Sequence, residues 1–297
     1  MCEGAIAAAL LGTSCAEADT NSSASSAHTS VSAPLETSST STTMATASVS
    51  TSTTMATTSV STSSEQPTAP PRCGTDMLLI PEARFVVGAA TREAVERGSP
   101  SLIGAYCLDR TETPTTAYSV CVSSGVCTKP LKGGSCSFER LGAAQKPINC
   151  VTFQQANDFC AQAGKRLPTE AEWESAASGG TRTYPWGAEP PGKLVCWDGR
   201  ENALGHGKRH DSCDVGAFLG DVTPEGVMDL GGNLSEWTMF GEPSRNAKDD
   251  QTQARKGGSW GTKSGPYLLR TTSRRVGDFK VYDSGIFTGF RCATDLR

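Results

Sequence analysis

The sequence predicts an α+β domain, rich in loops and poor in regular elements, preceded by a disordered stalk. Three observations predict it. Hydrophobic residues make up 37% of the 297 residues and charged ones 20%, both below the roughly 45–50% and 25% of ordinary globular chains. Part of the chain therefore lies outside any packed core. From residue 73 onward Gly and Pro punctuate the chain, and only three segments carry helix start and stop signals together. The same part holds ten of the twelve cysteines, an even number that suits disulfides in an exported chain.

Residues 1–19 read as an export signal. Ala5 to Leu11 form an apolar run too short to span a membrane but long enough for a signal-peptide core. Two processing sites fit. Cys15 after small residues resembles a bacterial lipoprotein box, with Gly12 where such a box usually has Leu; Ala16-Glu17-Ala18 offers an A-x-A site instead. Residues 20–72 are almost wholly Ser, Thr, Ala and Pro, and Thr43-Met44-Ala45-Thr46 recurs as Thr54-Met55-Ala56-Thr57. No apolar face is available to offset the entropy of ordering this stretch, so it is expected to be a disordered stalk. A lipid on Cys15 would hold the domain off a membrane. That is the only membrane contact expected, because no run of about 18 apolar residues occurs. Basic residues number 27 and acidic ones 31, a net charge of −4, which argues against a nucleic-acid partner.

Residues 73–297 form the expected domain, taken as a monomer. Its strand candidates are Met77–Ile80, Phe85–Val87 and Phe287–Cys292, the last requiring Arg291 to be exposed or paired. The first helix is expected to use Thr113 as N-cap and Pro114 as its first residue. Ala117, Tyr118, Cys121 and Val122 line one face, and Gly125 ends it. Thr152 and Gln155 make a capping box for the second, which carries Ala156, Phe159, Cys160 and Ala163 to Gly164. Thr169 and Glu172 make another for the third, with Trp173, Ala176 and Ala177 before Gly179. No C-x-x-C occurs, which weakens zinc-ribbon and thioredoxin-like readings.

The run Ala163-Gly164-Lys165-Arg166-Leu167-Pro168-Thr169-Glu170-Ala171-Glu172-Trp173-Glu174 resembles a signature of the formylglycine-generating enzyme, or sulfatase-modifying factor, family. Tyr184-Pro185-Trp186-Gly187, Met228 to Thr238, Gly257-Gly258-Ser259-Trp260 and Gly289-Phe290-Arg291-Cys292-Ala293 follow in the family's order. The resemblance spans Cys73 to Arg297 and implies a C-type-lectin-like core. It also implies a disulfide between Cys160 and Cys292; a second, local bridge is expected between Cys196 and Cys213.

Family and activity point in different directions. The aerobic enzymes of the family oxidise a substrate cysteine with Cu(I) held by two cysteines beyond the Gly-Gly-Ser motif, since a soft ion needs thiolates. Those positions fall on Thr262 and Tyr267, and no cysteine stands between Cys213 and Cys292. Copper is therefore not expected, no catalytic residue is assigned, and the leading function is a non-oxidase binding or structural module on the cell surface, a pseudoenzyme. Its partner would be a protein or a small molecule. The alternative is a protein-modifying oxidoreductase of the same superfamily, including its non-haem iron branch, with an altered centre. The resemblance further implies a structural Ca²⁺ held by the side chains of Asp229 and Glu236 and the carbonyls of Gly232 and Leu234.

Other candidates read as structural. His206 and His210 have the spacing of a zinc pair, but Gly205 and Gly207 place them in a loop beside Lys208 and Arg209. Arg166, Arg270, Arg274, Arg275 and Arg291 are expected to pin carboxylates or carbonyls. Glu170, Glu172 and Glu174 suit the start of a helix, and Trp173, Trp186, Trp237 and Trp260 a core or pocket wall.

Overall fold

The computed structural model describes residues 73–89, 97–200, 205–239, 253–263, 265–276 and 285–296, without the side chains of Gln253 and Val276. The predicted signal segment, Cys15 and the stalk lie outside these residues. Everything described belongs to one unit, Gln66–Arg297. It is an α+β arrangement with few regular elements, joined by long loops.

Three small sheets carry the strands. In the first, β1 (Met77–Ile80), β4 (Tyr106–Asp109) and β9 (Ala293–Asp295) run antiparallel, so the two ends of the domain meet across β4. The second is the hairpin-like pair of β2 (Ala83–Phe85) and β3 (Ser101–Ile103). The third has β5 (Ser235–Met239) between β6 (Gln253–Lys256) and β8 (Thr288–Gly289), with β7 (Arg274–Val276) outside β6. β5 and β8 are parallel; the other pairs are antiparallel.

Three helices given in full by the described residues pack on these sheets: α1 (Thr115–Ser123), α2 (Phe153–Gln162) and α3 (Glu170–Ser178). In α2 the Thr152 hydroxyl accepts the Gln155 amide at 3.1 Å, and the Gln155 side chain accepts the Thr152 amide at 2.9 Å. Thr169 and Glu172 make the same reciprocal pair for α3, which ends at left-handed Gly179. Such boxes satisfy amides that a helix start leaves without partners.

Three expectations need correction. Pro114 is the N-cap of α1, not its first residue, and no side chain caps this helix. Thr115 donates its amide to the Lys146 carbonyl at 2.8 Å, which holds the chain extended through Pro114. The second strand covers Ala83–Phe85, because the chain turns over Val86 to Gly88, where Ala89 donates to the Val86 carbonyl. Of the predicted strand Phe287–Cys292 only Thr288–Gly289 (β8) is a strand, and β9 begins beyond it at Ala293. Cys292 gives its amide to the Asp109 carboxylate at 3.0 Å, and Arg291 turns inward, so Phe290 to Cys292 cannot run as a ladder.

Two cores hold the elements together. Tyr118, Ile148, Val151, Ala156, Leu167, Trp237 and Phe290 pack around Cys160 and Cys292. Ile80, Tyr106 and Leu108 pack with Trp173, Ala176, Ala177, Val227 and Leu230 of α3 and the loop before β5. All ten cysteines from Cys73 onward are joined, as Cys73–Cys107, Cys121–Cys127, Cys136–Cys150, Cys160–Cys292 and Cys196–Cys213.

Candidate functional site

The segment from Asp229 to Leu234 is the scaffold on which the site rests. Asp229 and Asn233 take left-handed conformations with φ of 62° and 56°, which Asp and Asn tolerate better than most residues. Asp221 accepts the amides of Gly231 and Gly232, the latter at 2.7 Å. Glu112 accepts the Leu234 amide at 2.8 Å and the Asn233 side-chain amide at 2.6 Å. Beneath this loop Arg291 is fully buried. It donates to Glu236 through Nε and Nη2, to the Met228 carbonyl through Nη2, and to the Asp109 and Arg110 carbonyls through Nη1. A buried charge needs this complete set of partners.

Four carboxylates, Glu112, Asp221, Asp229 and Glu236, are thus buried near one guanidinium. Burial, with the neighbouring charges of Asp229 and Glu236, holds Glu112 well above the ordinary carboxylate range. Burial pushes Asp221 up to about 6. It also pushes Asp229 up to about 7, with Asp221 adding to the effect. The residues expected to bind calcium do not fit the ion as folded. Both oxygens of Glu236 are taken, by Arg291 and by the Trp173 indole at 2.9 Å. Asp229 turns Oδ2 to the Gly216 amide at 2.6 Å. A Ca²⁺ ion wants six to eight oxygens, and here one of its two expected carboxylates already serves a cation.

The Gly-Gly-Ser-Trp segment lies against the same loop. Gly257 is left-handed, with φ of 78°, and a Cβ there would stand 2.8 Å from the Leu230 carbonyl. Gly258 then donates to the Gly231 carbonyl at 3.1 Å and Trp260 to the Asn233 carbonyl at 2.7 Å. These contacts place Ser259 and Thr262 at the floor of a cavity of about 280 Å³. The Ser259 amide donates to Thr262 Oγ1 at 3.0 Å, leaving the threonine O–H to donate elsewhere. Leu268 and Phe287 form apolar walls, and Lys263 and Arg275 bring two positive charges. Gly261 completes the lining; a Cβ there would stand 2.2 Å from the Phe287 ring. Phe287 in turn leans on Trp260, with ring centroids 4.7 Å apart. Tyr267 is exposed, follows Gly265 into the short 3-10 helix Pro266–Leu269, and lies near Arg275. Burial holds the Arg275 guanidinium below the ordinary arginine pKa, and Tyr267 opposes that shift.

The residues present do not fit Cu(I). Thr262 offers a hydroxyl and Tyr267 a phenol, both hard and protonated at neutral pH. Cys292, the nearest cysteine in sequence, is tied to Cys160 and is fully buried. Every cysteine among the described residues is in a disulfide.

Most remaining candidates serve the scaffold. Arg166 forks onto Glu172 at 2.6 and 2.7 Å. Arg274 meets Glu170 at 2.5 Å, and fully buried Lys256 meets Glu174 at 2.7 Å. Trp173 and Trp237 are core residues, and Trp186 stacks on Tyr184. His206 packs edge-on against Phe218, while the His210 carbonyl accepts the Ser135 hydroxyl. Arg275 departs from the structural role expected of it. No carboxylate among the described residues pairs with it, and it stands directly across from Arg255 in the sheet. The signal that could have found it is the run of basic residues with no acid between Gly257 and Arg275.

The family model described as "Sulfatase-modifying factor enzyme 1-like domain" matches residues 62–296. A Bos taurus protein named "Inactive C-alpha-formylglycine-generating enzyme 2" is 33% identical over 174 residues, covering 56% of this chain and 55% of that one. A "Hercynine oxygenase" of Mycobacterium tuberculosis is 31% identical over 171 residues, covering 52% of this chain and 38% of that one. The chain thus spans about half the length of these relatives, or less. Among solved structures, PvdO from Pseudomonas aeruginosa superposes with a TM-score of 0.55 at 20% identity, over 74% of this chain and 94% of that one. That likeness shows a shared fold.

Proposed function

The chain belongs to the sulfatase-modifying factor enzyme 1-like family, and from that premise we propose that it is a non-oxidase ligand-binding module of an exported protein. One observation carries this reading: the cavity beside the Gly-Gly-Ser motif is lined by Thr262, and all ten cysteines of the domain are tied in disulfides. Copper-dependent oxidation needs thiolates, and none of these ten sulfurs can supply one. The five disulfides also support export, since such bonds persist in oxidising compartments. A lipid on Cys15 would tether the module to a membrane; this part of the reading rests on the sequence alone. Relatives in the same family carry names that include both an inactive protein and an oxygenase, so membership leaves the activity to the site itself.

The test is direct. The protein is incubated with Cu(I), dioxygen and a sulfatase-type cysteine peptide, and the peptide is weighed. No formylglycine should form. Copper-dependent appearance of formylglycine would overturn the reading and favour an oxidoreductase with an altered centre. Thr262→Cys combined with Tyr267→Cys should raise Cu(I) affinity, because the surrounding loop stays as it is.

A further inference from the structure

We propose that the cavity between Ser259 and Phe287 binds an organic phosphate monoester, its dianionic head between Lys263 and Arg275 and its apolar body against Leu268 and Phe287. The inference rests on the non-oxidase reading of the same cavity and names its ligand class.

Several buried or half-buried cations elsewhere in the domain have an acid: Arg291 has Glu236, Lys256 has Glu174, Arg166 has Glu172 and Arg182 has Glu225. Half-buried Arg209 and Arg270 form no ion pair among the described residues, and neither lines the cavity. Among the described residues no acid is paired with Lys263 or Arg275. Arg275 even faces Arg255 across the β6–β7 pair, and like charges directly opposite each other destabilise a sheet. A half-buried guanidinium without a counter-charge is costly. An oxyanion bound in the cavity would supply that counter-charge, and a guanidinium fork suits two oxygens at once.

The rest of the lining narrows the class. Thr262 has an O–H proton free because its oxygen already accepts the Ser259 amide, and the Ser259 hydroxyl lines the same floor. Two cations and two hydroxyl donors match a head with several oxygens and about two negative charges, as a phosphate monoester carries near neutral pH. Leu268 and Phe287 offer nothing to a bare inorganic ion but do reward an apolar substituent. A volume of about 280 Å³ lies just below the range of roughly 300–1,000 Å³ typical of small-molecule pockets. That is room for a phosphate head and one ring or a short chain.

The test is calorimetric titration of the full chain with phenyl phosphate, benzoate, inorganic phosphate and benzyl alcohol. Phenyl phosphate should bind most tightly of the four. Arg275→Met should weaken it by about tenfold to a hundredfold, the loss of one or two hydrogen bonds to a charged group. Lys263→Gln should weaken it less, and because this lysine is exposed the variant keeps the fold. An unchanged melting temperature for Arg275→Met separates lost binding from lost structure; if that variant melts early, the Lys263→Gln result decides. Equal affinity for phenyl and inorganic phosphate would mean an adventitious ion only. That outcome, the absence of phenyl phosphate binding, tighter binding of benzoate or benzyl alcohol, or affinity indifferent to Lys263 and Arg275 would each overturn the proposal. None of these results bears on the peptide-oxidation assay, so the two readings can fail separately.

Discussion

Removing the Cys160–Cys292 disulfide should destabilise the domain far more than removing Cys121–Cys127. The first bridge joins residues 132 apart in sequence and the second residues 6 apart. In the chain-entropy treatment, the cost of freeing the unfolded chain grows with the logarithm of loop length, giving about 5 kcal/mol for the long loop and about 2 kcal/mol for the short one. The other four bridges stay closed in each variant, so the contrast of about 3 kcal/mol is more robust than either value. Alanine is the right replacement. Cys160 and Cys292 are fully buried beside Tyr118 and Phe290, and serine would add a buried hydroxyl costing about 1–3 kcal/mol if unpaired. For a domain of this size each kcal/mol moves the melting temperature by about 2–4 °C, so the long-bridge variant should melt about 10–20 °C lower. Urea unfolding of the two double-alanine variants, with the remaining disulfides verified by peptide mapping, measures the difference. Equal losses would refute the loop-length argument and assign the bridge's contribution to local packing.

Three further outcomes are expected. Lys256→Met leaves Glu174 buried without its partner at 2.7 Å and should cost about 3–5 kcal/mol in urea unfolding; adding Glu174→Gln should recover part of the loss. Gly261→Ala puts a Cβ 2.2 Å from the Phe287 ring, so it should cost about 1–3 kcal/mol and reduce phenyl phosphate affinity beyond what the stability loss predicts. Because Glu236 already serves Arg291 and Trp173, a chelator should leave the melting temperature unchanged. A calcium-dependent rise that Asp229→Asn abolishes would place the ion at Asp229 and refute this reasoning.

The starts of α2 and α3 were legible in the sequence because a capping box joins residues three apart, Thr152 to Gln155 and Thr169 to Glu172. Gly164 and Gly179 mark their ends for the same local reason. The ordered motifs from Arg166 to Cys292 were likewise enough to identify the family. Strand limits were less legible. Phe290 to Cys292 has strand composition, but a carboxylate at Asp109 takes an amide that a ladder would need. The buried acids Glu112 and Asp221, which hold the Asp229–Leu234 loop, carried no motif of their own. The sequence by itself determined the fold family and the absence of cysteine at positions 262 and 267. Only the tertiary structure decided that Arg291 spends its charge on Glu236 while Arg275 and Lys263 line a cavity. Charge pairing depends on distance in space: Arg291 lies 55 residues from Glu236 in the chain and 2.7 Å from it in the fold, a relation that no local pattern encodes.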